Sequence, residues 1–143
     1  MKKFTAVLLL ICALAVSLSS CGLGRVKIEE HEWRMRYIFH AEGGEVVIDA
    51  VDKENPSHPE AKIIDMSLVA EDGRITLTDR TNNKTYVGTY TVSGKNPEGT
   101  DYKITLNGKS GHATAAMTTF ADGKEEPTLP ITLGGYSMYF YAE

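Results

Sequence analysis

Apolar and polar residues alternate with a period of two through most of the chain from residue 32 onward, and this pattern restricts the fold most. In the first such run the residues that share one face are apolar or aromatic: Trp33, Met35, Tyr37 and Phe39. Successive side chains of a β-strand point to opposite faces, whereas a helix repeats about every 3.6 residues. On a helix the same four residues would spread around the axis, so the run predicts a strand.

Turn residues separate this run from similar ones that follow. Asp72-Gly73 and Asn107-Gly108 are typical of tight hairpins, because the two central residues of such a turn need positive φ. Gly43-Gly44 predicts another turn, Gly134-Gly135 predicts a kink, and 122–127 is expected to be an acidic, exposed loop. The strands are predicted in these stretches: 32–40, 45–52, 64–68, 74–79, 86–92, 102–106, 113–120 and 131–141.

About eight short strands joined mainly by hairpin turns predict an all-β protein with an antiparallel meander. Closing a sheet of this size removes its exposed edges, which otherwise favour aggregation. We therefore predict a closed or partly closed β-barrel. The alternative is a sandwich of two β-sheets.

The first twenty residues have the features of a secretory signal peptide. Lys2 and Lys3 precede eleven residues without a polar side chain, at 6–16, and small or modestly polar residues follow at 17–20. The apolar run is shorter than the roughly 20 residues that cross a bilayer as a helix. The alternatives are a plain secreted protein cut near residue 21, or a buried apolar helix.

Leu18-Ser19-Ser20-Cys21 follows this run directly and resembles the lipobox of bacterial lipoproteins, which is Leu, two small residues and Cys. The resemblance implies cleavage between Ser20 and Cys21 and a diacylglyceryl group on the Cys21 thiol. A further acyl chain, such as palmitate, is often added to the new amino terminus. It also implies a lipid anchor at the outer face of the cell membrane or, because Gly22 replaces an inner-membrane retention Asp, at the outer membrane.

Three regions are therefore expected along the chain. Residues 1–20 form the signal peptide, 21–30 the lipidated N-terminus and a tether, and 31–143 the barrel domain. The predicted barrel is similar to the lipocalin-like small barrels. Trp33 stands in the first strand where lipocalins carry Gly-x-Trp, although His31 occupies the Gly position, and Thr100-Asp101-Tyr102 matches a second lipocalin motif. The resemblance implies a ligand-binding role.

Composition excludes several classes of function. Removing residues 1–20 leaves 13 of the 15 basic residues against 19 acidic ones, so the mature chain has a formal net charge of −6. This argues against binding nucleic acid, which needs clustered Lys and Arg for the phosphates. Cys12 is removed and Cys21 carries lipid, so thiol catalysis, haem attachment and a Cys-based zinc site are excluded.

No pattern of polar residues predicts catalysis, a metal or another cofactor. The histidines are scattered without the spacing of a zinc site: His31, His40, His58 and His112. Paired carboxylates fall in predicted loops or beside turns and are expected to be surface charge: Glu29-Glu30, Glu71-Asp72 and Glu125-Glu126. Ser93 and Ser110 precede glycines but lack the strand-to-helix elbow of a nucleophile. The protein is predicted not to be an enzyme.

Eight aromatic residues are predicted to lie on the apolar faces of the strands: Trp33, Tyr37, Phe39, Tyr86, Tyr90, Tyr102, Tyr136 and Phe140. An eight-stranded barrel is just wide enough for such side chains to fill it. Alternatively, Trp33, Tyr37 and Tyr90 line a cavity that binds a small apolar or amphipathic ligand. With a filled core, we expect instead an envelope protein that binds or inhibits another protein through its outer face and loops.

Overall fold

The computed structural model describes residues 25–49 and 64–143, so Ser20, Cys21 and His58 lie outside the described residues. The described residues form nine strands of one antiparallel sheet, preceded by a 3-10 turn at Ile28–Glu30. The strands are β1 (Trp33–His40), β2 (Val46–Asp49), β3 (Met66–Glu71), β4 (Arg74–Asp79), β5 (Lys84–Lys95), β6 (Gly99–Leu106), β7 (Lys109–Thr119), β8 (Glu125–Leu133) and β9 (Tyr136–Ala142).

Eight of these strands close into a barrel. β1 and β3 to β9 are hydrogen-bonded in that order, and β9 returns to pair with β1 from Trp33↔Ala142 to His40↔Tyr136. This confirms the predicted all-β antiparallel meander and barrel. A sandwich of two sheets, the alternative, is excluded by the closing ladder. Every ladder and core residue that the structure describes lies at or after Val26, so the chain from residue 21 onward retains all of them.

β2 is the additional strand, and it shares one edge of β1 with β3. Within β1, the residues that pair with β3 are the first two, Trp33 and Arg34. β2 pairs with Tyr37, Ile38 and Phe39 at the other end of the same strand. The edge of β1 that does not pair with β9 is therefore shared by β2 and β3. β2 extends the sheet at one end of the barrel.

The barrel has two distinct ends. One end carries the 3-10 turn, the β3–β4 turn at 72–73 and the loops at 96–98 and 120–124; we call it the plugged end. The other carries the turns that follow β1, β4, β6 and β8; we call it the mouth. The two hairpin dipeptides have the predicted conformation, with φ of +49° at Asp72 and +77° at Gly73, and +50° at Asn107 and +74° at Gly108.

A β-bulge in β1 changes which residues face the core. The register between β1 and β9 shifts between Met35 and Tyr37. Because a bulge inserts one residue, the strand alternates with the opposite phase beyond it. Ile38, only 8% exposed, faces the core, and Tyr37 and Phe39 lie on the outer face. The prediction that Tyr37 and Phe39 share a face with Trp33 is therefore wrong.

Two expected loop regions belong to the folded domain. Val26 and Ile28, assigned to the tether by the sequence, are buried with the core. The domain thus begins before residue 31, because this apolar pair fills space at the plugged end. Within the predicted acidic loop at 122–127, β8 already begins at Glu125, which pairs with Thr119 of β7. Gly134-Gly135, expected as a kink within one strand at 131–141, is instead the hairpin turn that joins β8 to β9.

Candidate functional site

The 3-10 turn closes the plugged end through hydrogen bonds with three aromatic side chains. The backbone N–H of Ile28 donates to the Tyr102 hydroxyl oxygen at 3.1 Å, and its carbonyl accepts from Trp33 Nε1 at 2.7 Å. The Tyr90 hydroxyl donates to Oε1 of Glu29 at 2.8 Å. Ile28 itself is 0% exposed. The turn therefore acts as a plug: the backbone of Ile28 bonds the polar atoms of Tyr102 and Trp33, and the side chain of Glu29 bonds that of Tyr90.

Burial makes the two tyrosine hydroxyls of the plug poor acids. Burial, aided by the hydrogen bond to Glu29, raises the pKa of Tyr90 to about 12. Burial also raises the pKa of Tyr102, and the N–H of Ile28 opposes this by donating to the hydroxyl. Both hydroxyls are neutral over the physiological pH range, so they hold the plug as uncharged hydrogen-bonding groups.

The three predicted lining residues do not surround one cavity. Trp33 and Tyr90 come together at the plugged end, where they are 0% and 6% exposed and hold the plug. Tyr37 lies beyond the bulge on the outer face of β1. The interior toward the plugged end is filled by side chains that are less than 2% exposed, among them Tyr102 and Phe140.

An apolar recess of about 300 Å³ opens at the mouth. Its volume is at the lower limit of ordinary small-molecule sites, roughly 300–1,000 Å³. We call it the mouth recess, and seven of the described side chains line it: Ile38, Val47, Ile48, Lys109, Leu133, Tyr136 and Met138. Six of the seven are aliphatic or aromatic, so the recess is suited to an apolar group.

The bulge and the additional strand together build this recess. The bulge turns Ile38 inward, and β2 brings Val47 and Ile48 against it. Sequence reasoning missed these residues because Tyr37, Ile38 and Phe39 are all apolar or aromatic, and such a run is compatible with either phase of a strand. That uninterrupted run was the available sign of a register change.

Aromatic side chains also cluster on the outside of the barrel, beside β1 and β9. Phe39 meets Tyr139 edge to face with ring centroids 5.7 Å apart, and Tyr37 lies 5.8 Å from Phe39. Phe120 stacks on Tyr141 at 5.6 Å. We call these five residues the outer aromatic surface. Large aromatic side chains on a protein surface are enriched where partners bind.

This surface also has a shallow depression and a nearby cation. The depression, of about 480 Å³, is lined by Tyr37, Phe39, Tyr139 and Tyr141 together with smaller residues of both strands. The Arg36 guanidinium lies 4.6 Å above the ring of Tyr141. Tyr139 remains 39% exposed. The outer aromatic surface thus offers rings and a cation to a partner.

Other polar residues singled out in the sequence take separate positions. The rings of His31 and Trp33 meet edge to face with their centroids 5.2 Å apart, and the ring centroids of His40 and Tyr136 are 5.1 Å apart. His112 is exposed on β7. Ser93 and Ser110 are exposed on strands. Within 25–49 and 64–143, no three His, Cys, Asp or Glu residues are grouped so as to hold a metal ion. Over the same ranges, no helix has the length and apolarity to cross a membrane.

The fold defines this chain as a closed eight-stranded antiparallel β-barrel with one additional strand. Comparisons of the chain with protein-family models, with curated proteins and with solved structures found no match. Membership of the lipocalin-like group therefore stays a prediction.

Proposed function

We propose that this protein is an exported, lipid-anchored binding protein that is not an enzyme and that holds a small apolar or amphipathic ligand in the mouth recess. The mouth recess carries the proposal, because it combines a volume of about 300 Å³ with an almost wholly apolar lining at an open end. The filled plugged end leaves the mouth as the end at which a ligand enters.

The lipobox at Leu18–Cys21 supports the anchor. In this proposal the signal peptide is cut after Ser20, and Cys21 carries the lipid at the outer face of the cell membrane or at the outer membrane. Each buried methylene contributes about 0.8 kcal/mol, so two or three acyl chains hold the protein firmly. Val26, the first core residue described, follows Cys21 by five residues, which reach about 17 Å when extended. The plugged end then faces the membrane, and the mouth faces away from it.

Replacing the lipidated cysteine tests the anchor. Cys21→Ser should leave the protein unprocessed or release it into the medium, and mass spectrometry of its N-terminal peptide should show no acyl mass. Cys12→Ser, which changes the other cysteine of the chain, is the matched control and should leave both processing and acylation intact. A membrane-bound Cys21→Ser protein, or a parent protein without acyl mass, would refute the anchor.

The absence of catalysis in this proposal is supported by how the polar groups of the core are used. The hydroxyls of Tyr90 and Tyr102 bind the plug and have raised pKa values, so neither is a base near neutral pH. With a mature net charge of −6, nucleic acid is not the expected partner. Incubation with a broad panel of ester, glycoside and phosphate substrates should give no turnover.

Native mass spectrometry of the unlipidated domain from its own host tests ligand binding. The parent domain should carry a reproducible additional mass of small-molecule size. Leu133→Trp should fill the mouth recess and remove that mass. Val87→Trp is the matched control, because Val87 is 55% exposed on the outer face of β5. A bare parent domain, or equal occupancy in Leu133→Trp, would contradict binding in the recess.

A second candidate is an envelope protein that docks to, or inhibits, another protein through the outer aromatic surface. The half-buried, outward-facing rings of Tyr37 and Phe39 and the exposed ring of Tyr139, together with the filled core at the plugged end, favour it. A photo-crosslinking residue at position 139 should then trap one partner of defined mass in cells. The same group at position 87 is the control and should trap none. Equal or absent crosslinking at the two positions would refute this candidate.

A further inference from the structure

We infer that the mouth recess selects a ligand with an anionic head group, which pairs with Nζ of Lys109 while its apolar part contacts Ile38, Ile48 and Met138. This inference rests on the proposed function of the recess and adds the chemistry of the ligand. Carboxylate and phosphate head groups share the property that matters here, a negative charge borne on oxygen.

Lys109 is held at the rim of the recess by the neighbouring hairpin. It is the first residue of β7 and the one charged residue among the described side chains that line the recess. Its side chain lies over Gly134 in the β8–β9 turn. A Cβ added at Gly134 would come within 2.7 Å of Lys109 Cδ and 3.2 Å of its Nζ. The glycine therefore leaves the space that the lysine occupies beside the recess.

The ammonium of Lys109 lacks a carboxylate partner within the described part of the chain. The ion pairs there involve other cations: Lys27, Arg34, Arg80 and Lys124. The Lys109 side chain is exposed at the rim, so an anionic oxygen can reach its ammonium while the apolar part of the ligand enters the recess. An anionic oxygen placed there forms a charge-assisted hydrogen bond.

Acidic side chains at the mouth give the competing expectation, which is a preference for a cationic ligand. Glu42 and Glu45 lie on the turn between β1 and β2, and the mature chain is negatively charged overall. Neither forms an ion pair with Lys109 among the described residues, and neither lines the recess. Among the described residues, the charge that borders the recess is therefore the ammonium of Lys109, whereas the mature chain as a whole is negative.

The volume of the recess sets the size of the apolar part. About ten groups of the size of a liquid water molecule, at ~30 Å³ each, fill a recess of about 300 Å³. A straight chain of roughly eight carbons with its head group is of this size. Octanoate, octanol and octylamine therefore make a matched set of probes, equal in chain and different in charge.

Calorimetric titration of these three probes tests the inference. The protein used is the chain from residue 21 onward with Cys21→Ser, which contains the whole barrel. Its variants are Lys109→Met, Lys109→Arg and Lys103→Met. Lys103 is an exposed lysine on the outer face of β6, so Lys103→Met makes the same change in net charge away from the recess. Lys109 is exposed, and equal thermal midpoints of all variants verify that folding is unchanged.

We expect octanoate to bind the parent most tightly and Lys109→Met to weaken it about tenfold, as for loss of a charge-assisted hydrogen bond. Lys109→Arg should retain most of the affinity, Lys103→Met should retain all of it, and octanol should bind parent and Lys109→Met equally.

Equal binding of octanoate and octanol by the parent would overturn the anionic selection while leaving the recess as a ligand site. Tighter binding of octylamine would also overturn it and would implicate Glu42 and Glu45. If none of the three probes binds, the proposed function of the recess fails together with this inference.

Discussion

The two ends of the barrel use the same kind of inward-facing strand residues for different purposes. At the plugged end, Trp33, Tyr102 and Phe140 are no more than 1% exposed, and the hydrogen bonds of the first two hold the 3-10 turn. At the mouth, Ile38 and Met138 are each 8% exposed and surround a recess. The difference indicates that the plugged end supplies stability, whereas the mouth keeps apolar surface available for binding.

The largest expected difference in stability between the two ends comes from truncating two aliphatic residues of β8. Ile131 is 1% exposed inside the barrel, and Leu133, two residues further on, lines the mouth recess. Ile131→Ala should lower the free energy of unfolding by about 2–5 kcal/mol, since it leaves a cavity in a closed core. Leu133→Ala should cost less than about 1.5 kcal/mol, because its surroundings already include open space. Urea denaturation of both variants measures this, and equal losses would refute the distinction.

The hydroxyl of Tyr102 should give the next largest effect. Tyr102→Phe removes the acceptor for the buried N–H of Ile28 and should destabilise the fold by about 1–3 kcal/mol. Tyr139→Phe deletes the same atom on the exposed outer aromatic surface and should change stability by less than about 0.5 kcal/mol. Denaturation midpoints that shift equally in these two variants would show that the plug is not held by this hydrogen bond.

Alkaline pH should weaken the plugged end through Tyr90. Burial and the bond to Glu29 raise the pKa of Tyr90 from 10.0 to about 12 in the folded state. The unfolded chain therefore loses this proton at lower pH than the folded one, so the contribution is fully present below pH 10 and is lost as pH rises toward 12. Unfolding by urea across pH 9 to 12 should show a steeper loss for the parent than for Tyr90→Phe. Parallel curves would contradict the assignment.

Exposed charges beside the start of β1 should contribute least. Arg34 forms ion pairs with Glu143 and with Asp65, the latter at 3.2 Å, and its side chain is 47% exposed. Arg34→Gln should cost no more than about 1 kcal/mol, and added salt should reduce the difference from the parent. A loss as large as that of Ile131→Ala would mean that charge, rather than packing, stabilises this part of the barrel.

The hairpins and the antiparallel meander could be predicted because they rest on local chemistry, and closure was predicted because it removes the exposed edges of the sheet. Asp72-Gly73 and Asn107-Gly108 specify tight turns, and strict alternation in β4 and β6 fixes which side chains face inward. Features that depend on pairing between distant strands could not be predicted from the sequence in the same way. The bulge in β1 depends on how Met35 and Tyr37 align with β9, and nothing local in the sequence sets that alignment.

The candidate site was less predictable than the fold. Of the residues expected to line a cavity, Trp33 and Tyr90 hold the plug, because the residues at 26–30 fold back into the barrel instead of forming a tether. Tyr37 lies outside because the bulge in β1 reverses the alternation of the strand. The mouth recess depends on β2 and on the phase change at Ile38. The first depends on the pairing of β2 with β1 and the second on the register shift between β1 and β9, so both depend on pairing between separate parts of the chain.

The ladder between β1 and β9 has a consequence for when this protein acquires its shape. It joins parts of the chain that are far apart in sequence, as the 109-residue separation of Arg34 and Glu143 shows. Contacts of such long range form late, so the barrel stays open until β9 has been synthesised. In the export that we propose, the chain would pass through a translocation pore unfolded, and its final strand would complete the barrel on the far side.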